Sequence, residues 1–446
     1  MAGSMSQLTT ASSDWGDACV RHGLTLLGTL EPRVRPALGD LAADAGWAVE
    51  HPKGGPALSA LLAARKPRRV TIVVTDTTRA CPDDVLVPVL LDSLRAAGIA
   101  PEQVTILVAL GLHRLLSRDE MCAKLGAGVA ESHAVVNSEA ADRSQFVHLG
   151  ETSRGCPVWI NRLVAEADLV LATGIIEPHL WAGYSGGRKS VAIGAAGEET
   201  IRFHHQPAVF DAPGVGLGRI KGNFFHESIS EIADLAGLVF IVNVVAGGHR
   251  QVAHVVAGQH RAAFAQGCAR CADMVEVAIE RQADIVIAGV PPGKDVNLFQ
   301  ATRSASNVRF SPWPAVRKGG TIIVPALAPE GAGRGEGERR YAALTRAHDS
   351  PAKLIAAVRR DGVKPGGHKA YLMARTLEYA RVVVAGAGDP GEVEELHMGA
   401  APSVAAALEE AARIHGPGAS VYSLPDGFAV LTSARRPEEE KTGTTL

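Results

Sequence analysis

Between Leu169 and Ser190 the chain reads LVLATGIIEPHLWAGYSGGRKS. Leu169-Val170-Leu171-Ala172 is an apolar run with no polar alternation, as expected of a strand buried on both faces. Beyond it come a Pro-His pair, three glycines within five residues (Gly183, Gly186, Gly187) and two adjacent cations, Arg188 and Lys189. Two readings compete for this strand end. One is a tight surface turn with solvated charges. The other is a site for an anion, with glycine letting the backbone approach and cations supplying charge.

Similar apolar runs recur along the chain at Val70–Thr75, Val104–Leu110, Leu238–Val245, Ile285–Ala288, Thr321–Val324 and Arg381–Ala385. Segments of helical spacing separate them, such as Asp84–Ala97 and Pro351–Arg360. The alternation predicts an α/β fold of two domains, each with a mostly parallel sheet flanked by helices. A boundary is expected near Arg281–Asp284. It divides the chain into a catalytic and cofactor-binding domain (1–280) and a smaller α/β domain (281–414). The tail from about 415 to 446 is expected to pack back on the first domain, and its end beyond Arg435 to fray. The Gly- and charge-rich stretch Ala328–Arg339 reads as an exposed loop.

Composition narrows the function. Among 446 residues, 45 Lys and Arg balance 47 Asp and Glu, so neither a nucleic-acid protein nor a polybasic membrane anchor is expected. No apolar run has the eighteen or so residues of a membrane helix, and the start MAGSMSQLTTASSDWGD lacks the features of a secretory signal. Six scattered cysteines suit reduced thiols in a cytoplasm. Cys268-Ala-Arg-Cys271 is the single CxxC; without a second pair it reads as helix packing, not a zinc site.

In open α/β sheets ligands bind beyond the carboxyl ends of the strands, so the residues there are the candidates. After Val70–Thr75 comes DTTRACP, with Asp76 and Arg79: a capped turn, or a carboxylate beside a guanidinium able to fork onto a substrate carboxylate. After Val104–Leu110 comes GLHR with His113, and after Leu169–Ala172 comes His179. Two imidazoles at one sheet edge suit paired acid and base work near neutral pH. Ser185-Gly186-Gly187-Arg188-Lys189 has phosphate-cradle chemistry but is neither a Walker loop nor GxGxxG. His204 and His205 follow within EETIRFHHQPAVF, as metal-ligand candidates or helix-end core residues.

Taken together, TDTTRACP, GLHR, GIIEPHLWAGYSGGRKS, the histidine pair and Asn297-Leu298-Phe299-Gln300 resemble the nickel-pincer lactate racemase family. The motifs span Thr75 to Gln300, with weaker likeness to about residue 430. The resemblance implies an isomerase that racemises or epimerises a 2-hydroxy acid, its site in a cleft between two domains. It implies a nickel-pincer nucleotide, pyridinium-3,5-bisthiocarboxylic acid mononucleotide nickel, joined covalently to Lys189 and loaded by cofactor-making enzymes. His205, sixteen residues beyond Lys189, is then the nickel ligand, with His204 as its rival. His113 and His179 match the acid/base pair, and Asp76 and Arg79 the groups that orient cofactor or substrate. Ser185, Gly186, Gly187 and Arg188 would hold the nucleotide phosphate. The implied chemistry is reversible hydride transfer through a 2-keto acid, which avoids a carbanion at a weakly acidic carbon.

On the substrate side, Gln300 matches a polar contact. Arg303 stands where lactate-specific members carry a lysine, Phe299 replaces a tyrosine, and Lys369 takes the place of a pocket-closing tryptophan. These departures suggest a substrate larger or more polar than lactate, such as a malate-like diacid or a sugar acid, unless Lys369 faces solvent. Three competitors make different demands. A nicotinamide dehydrogenase would need GxGxxG after its first strand, a non-catalytic anion or cofactor binder would not need both histidines, and a metallohydrolase would not need Lys189.

Overall fold

The computed structural model describes residues 12–246, 251–364 and 366–435. The first eleven residues and the tail expected to fray lie outside it.

The chain forms two compact units, one of Arg33–Met274 and the other of Val275 onward together with the segment before Arg33. The first unit is built on a six-stranded sheet in the order Val252–Gly258, Leu238–Ala246, Leu169–Ile176, Val70–Thr75, Val104–Ala109, Ala134–Ser138. Only Val252–Gly258 is antiparallel to its neighbour. The two central strands are buried at every position, which is why they read as unbroken Val/Ile/Leu runs. Ile72, Ile106, Leu171 and Val242 line one side of the sheet and pack under Leu86 and Leu90 of the helix Asp83–Ala96.

The order of these strands locates the site. From Val70–Thr75 the chain moves outward through Val104–Ala109 to Ala134–Ser138. It then crosses back to lay Leu169–Ile176 on the opposite side of the first strand. The connections leaving Val70–Thr75 and Leu169–Ile176 therefore diverge, and beyond their carboxyl ends lies the position at which open α/β sheets take ligands. Both loops singled out by sequence, DTTRACP and IIEPHLWAGYSGGRK, begin there.

The second unit holds another six-stranded sheet, all parallel, in the order Thr25–Thr29, Ser420–Leu424, Ala283–Ala288, Val316–Pro325, Arg381–Ala385, Gly399–Ala401. Ile285, Ile287, Ile323, Val383 and Val421 form its core with the helix Val404–His415. The division differs from the expected one at both ends. Thr25–Thr29 leaves the N-terminal part to pair with Ser420–Leu424, so this strand of the expected tail belongs to the sheet of the second unit. The helix that carries the CxxC, His260–Val275, closes the first unit, with Cys268 and Cys271 buried as packing. The six cysteines are free thiols. The stretch expected as a loop over Ala328–Arg339 is a turn only to Gly335, since a helix begins at Glu336. Among the described residues no helix is long and apolar enough to cross a membrane.

Candidate functional site

Asp76 is the first residue beyond the central strand and is almost enclosed, with 4 % of its surface exposed. Its Oδ1 accepts from the Thr78 hydroxyl at 2.6 Å and the Thr78 N–H at 3.2 Å, and its Oδ2 faces His113 Nδ1 at 2.5 Å. Burial alone would raise its pKa. The bonds from His113 and Thr78 outweigh that, and the carboxyl is held below its ordinary value. An ionised carboxylate only accepts, so His113 donates through Nδ1. His113 arrives from the neighbouring strand through a turn at Gly111, whose φ is +57° and whose N–H binds the Gly194 carbonyl.

The loop carrying Asp76 and Arg79 is pinned at its far end by Asp83. That carboxylate is fully buried and receives Lys124 Nζ at 2.7 Å, Thr173 Oγ1 at 2.5 Å, Thr75 Oγ1 at 3.2 Å and the Cys81 thiol at 3.3 Å. Thr75 and Thr173 lie on the two central strands, so one buried charge ties the loop to both. Burial and then the Asp83 charge push the Cys81 thiol well above its ordinary pKa, which keeps it an unreactive neutral donor.

Arg79 reaches across to Glu177, with Nη1 to Oε1 at 2.8 Å. Glu177 begins a hairpin in which Pro178 pairs with Tyr184 and His179 with Gly183. Three contacts hold its tip. Trp181 stacks on Phe210 at 3.9 Å, Asn223 Nδ2 donates to the Trp181 carbonyl at 2.8 Å, and Gly183 lies against Arg219. Gly183 has φ +76°, and a Cβ there would come within 2.0 Å of the Arg219 carbonyl oxygen, so glycine is required. Within this tip the N–H groups of Trp181 and Ala182 donate to His179 Nδ1 at 3.3 and 3.2 Å.

Lys189 ends a short helical turn, Gly187–Lys189, laid against the central strands. Burial, then the Arg79 charge, push its amine down to about 7, while Asp76 and Glu177 pull the other way. His205 caps the helix Glu198–His204 and donates through Nδ1 to the Ile201 carbonyl at 2.7 Å, which leaves its lone pair on Nε2. Burial holds its pKa down at about 4, with Lys189 and His113 adding to the effect. His205 and His179 flank Phe225, each at 6.4 Å between ring centroids. Asp76, Arg79, His113, Glu177, His179, Lys189 and His205 therefore belong to one cluster at one sheet edge. His204 does not present a ligand atom to it. It is fully buried, with Nδ1 on the Thr200 carbonyl at 2.8 Å and Nε2 on the Ser228 hydroxyl at 2.9 Å. No group of three or more His, Cys, Asp or Glu side chains that could hold a metal by itself occurs among the described residues.

The expected phosphate cradle at Ser185–Arg188 takes a different form. The Ser185 hydroxyl donates to the Ile175 carbonyl and accepts from Glu177 N, the Gly187 N–H goes to Asn243 Oδ1 at 3.1 Å, and the Lys189 N–H goes to the Gly186 carbonyl. Arg188 is fully buried. Its guanidinium lies 3.3 Å over the Phe264 ring and bonds Ser230 and His226, and burial lowers its pKa to about 9. The two glycines serve close packing, because a Cβ on Gly187 would press on the Thr173 carbonyl at 3.2 Å and Ala172 at 3.3 Å. Lys189 alone of this stretch turns to the cluster.

Gln300, Arg303 and Lys369 lie on the second unit. Gln300 is in the turn Leu298–Ala301 capped by Asn297, and Arg303 opens the next helix with its guanidinium 4.9 Å from the Phe428 ring. Lys369, in the first turn of His368–Leu377, does not face solvent: 6 % of it is exposed. Burial and then the neighbouring Arg303 bring its pKa down to about 7.

Glu177 and the Asp83–Lys124 pair escaped the sequence reading. Glu177 stood in the quoted stretch, two residues before His179, but nothing in one sequence says that it meets Arg79, some hundred residues away. Lys124 lies in a helix in which half the residues are charged, and it reads as solvated.

The lactate racemase N-terminal domain family matches residues 23–218, and the lactate racemase C-terminal domain family matches residues 278–432. The lactate racemase of Lactiplantibacillus plantarum is 32% identical over 388 residues, covering 86% of this chain and 89% of that protein. The lactate racemase of Thermoanaerobacterium thermosaccharolyticum is 31% identical over 388 residues, with 86% and 88% covered. The solved lactate racemase apoprotein from T. thermosaccharolyticum superposes with a TM-score of 0.82 at 28% identity, over 92% of this chain and 95% of that one. A protein from Thermotoga maritima shares the fold with a TM-score of 0.61 at 16% identity, over 86% and 100%.

Proposed function

The chain belongs to the lactate racemase family, and from that premise we propose that it is a racemase or epimerase of a 2-hydroxy acid larger or more polar than lactate. The observation that carries the reading is the convergence on Lys189. Its loosened amine shares one sheet edge with two histidines and an Arg–Glu pair, and with a third histidine whose lone pair is on Nε2.

The residues fit the nickel-pincer nucleotide that the family implies. An amine that loses its proton near pH 7 is a nucleophile suited to a covalent link. A neutral imidazole with Nδ1 tied to a carbonyl is suited to a metal bond through Nε2. Lys189 would tether the group and His205 would ligate its nickel. The hydrogen bonds of His204 favour that assignment, because both its nitrogens are spent on the fold. When bound, the group would supply an electrophilic carbon able to accept and return a hydride. Cofactor-making enzymes would be needed to load it. The phosphate contacts are not assigned to Ser185–Arg188, where the Ser185 hydroxyl, the Gly187 N–H and the Arg188 guanidinium are turned to the protein.

The chain's own groups do the rest. Arg79, anchored at one nitrogen by Glu177, holds the substrate carboxylate as a fixed fork. His113, oriented by Asp76, takes the hydroxyl proton as the 2-keto acid forms, and His179 addresses the oxygen from the other face. By the family resemblance, Gln300, Arg303 and Lys369 would be the residues that select the substrate. Two cations with lysine enclosed favour a second carboxylate or a run of hydroxyls over a methyl group.

The test is a chiral screen of lactate, malate-type diacids and aldonates, using protein made beside the cofactor-making enzymes. Interconversion of a diacid or aldonate, lost in Lys189→Ala and weakened at least tenfold in KM by Lys369→Met, is expected. Lactate as the best substrate of both forms would refute the substrate assignment, and no turnover of any 2-hydroxy acid by protein shown to carry nickel would refute the reaction.

A further inference from the structure

The two histidines of the cluster are fixed at Nδ1 by opposite kinds of partner. His113 Nδ1 meets the Asp76 carboxylate at 2.5 Å, and a carboxylate held below its ordinary pKa can only accept. His179 Nδ1 meets the backbone N–H groups of Trp181 and Ala182 at 3.3 and 3.2 Å, and these can only donate. A neutral imidazole has one N–H and one lone pair, so the partner at Nδ1 dictates what Nε2 offers. We propose that the histidines rest in opposite tautomers. His113 carries its proton on Nδ1 and presents a proton acceptor at Nε2, and His179 keeps Nδ1 unprotonated and presents an Nε2–H donor. Asp76 and the turn 179–182 are the positioning elements that set this difference.

The turn is stiff enough to hold it. The Trp181–Phe210 stack, the Asn223 bond to the Trp181 carbonyl and the seat of Gly183 on Arg219 each fix the backbone from which the two N–H groups project. Protonating His179 at Nδ1 would set an N–H against two others and forfeit both hydrogen bonds, so that form is reached only by turning the ring or opening the tip. Asp76 is equally constrained. Thr78 occupies its Oδ1 through two bonds, which leaves Oδ2 for His113.

The consequence for turnover rests on the racemase reading above. A substrate whose hydroxyl meets His113 finds an acceptor at once. The resulting imidazolium returns that proton to the product oxygen, directly or through water, while His179 keeps its Nε2–H. The mirror-image substrate meets a donor at His179, which polarises the oxygen but cannot take its proton until the tautomer changes. For true enantiomers the equilibrium constant is unity, so kcat/KM is the same in both directions. The asymmetry then appears as a matched difference in kcat and in KM.

The tautomers themselves do not depend on the cofactor, and the test is made without it. The full chain, labelled with 15N in the histidine rings, is studied at about pH 8, above the ordinary imidazole range. One-bond and long-range proton–nitrogen correlations are assigned with His113→Gln and His179→Gln. The expected result is an unprotonated Nδ1 and a protonated Nε2 for His179, with the reverse for His113. Asp76→Asn, in which the amide can donate as well as accept, is expected to turn His113 into a mixture and leave His179 unchanged. A protonated Nδ1 on His179, rapid averaging between its two nitrogens, or an Nε2–H on His113 would overturn the inference. So would an unaltered His113 in Asp76→Asn. Failure here together with racemisation in the chiral screen removes this inference alone. Opposite tautomers with no turnover remove the functional reading and leave the inference standing.

Discussion

Lys189 and Arg188 are adjacent cations with opposite fates. Lys189 turns to a cluster of charges, and Arg188 turns into the core to stack on Phe264. Burial penalises the ammonium form of Lys189, so the free amine dominates above about pH 7 and the ammonium below it. A small amine-reactive reagent should therefore label Lys189 with a pH midpoint near 7, read by peptide mass spectrometry. A midpoint in the ordinary lysine range would refute this. The histidine pair makes a second separation. His205→Ala should abolish nickel retention and leave folding intact. His204→Ala should leave the ligand in place and cost about 1–3 kcal/mol, because it strands the Thr200 carbonyl and the Ser228 hydroxyl. His204 also carries a pH signature. Burial lowers its folded pKa to about 4 from 6.5. Below the unfolded value the unfolded chain binds a proton that the native chain refuses, so stability falls as pH drops from about 6.5 towards 4. Comparing wild type with His204→Gln by urea unfolding across that range should show a shallower decline in the variant. Equal slopes would contradict it.

At the scale of elements, two devices aim the side chains. The first is the buried Asp83–Lys124 pair that ties the Asp76–Arg79 loop to Thr75 and Thr173 on the central strands. Lys124→Met leaves a buried carboxylate without its cation and should lower the unfolding free energy by about 3–5 kcal/mol. A loss below about 1 kcal/mol would mean that the pair behaves as a surface bridge. The second is the hairpin from Glu177 to Ser185. Gly183→Ala places a Cβ against the Arg219 carbonyl at positive φ, so the tip must shift and carry His179 with it. Turnover should fall about a hundredfold, the effect of an ångström of misplacement, with the second unit unaffected. Unchanged turnover would show that the hairpin does not aim His179. These elements differ in how far sequence reveals them. Val70–Thr75 and Leu169–Ile176 were legible because strands buried on both faces leave no polar alternation. Ala134–Ser138 and Ser420–Leu424 were missed because half-exposed or hydroxyl-bearing positions interrupt the apolar pattern. The packing of Gly186 and Gly187 was not legible for a different reason. A glycine that admits a phosphate and one that admits a neighbouring strand leave the same mark in the sequence.

For the whole molecule, the α/β class and two units could be read from the alternation of apolar runs with helical spacings. The joining of Thr25–Thr29 to Ser420–Leu424 could not, because pairing between the chain's two ends leaves no local signal. The candidate cluster was legible where chemistry sits at strand ends: Asp76, Arg79, His113, His179 and Lys189 lie at one edge. It was illegible where a residue acts through a partner distant in sequence, as Glu177 does on Arg79. One measurement decides most about the account. The full chain is made beside the cofactor-making enzymes, digested and examined by mass spectrometry, with nickel quantified on the same sample. A single nucleotide-sized adduct on the peptide bearing Lys189, with nickel near one per chain and both lost in Lys189→Ala, is the predicted result. An unmodified Lys189 in a preparation where a known family member is loaded under the same conditions would contradict it.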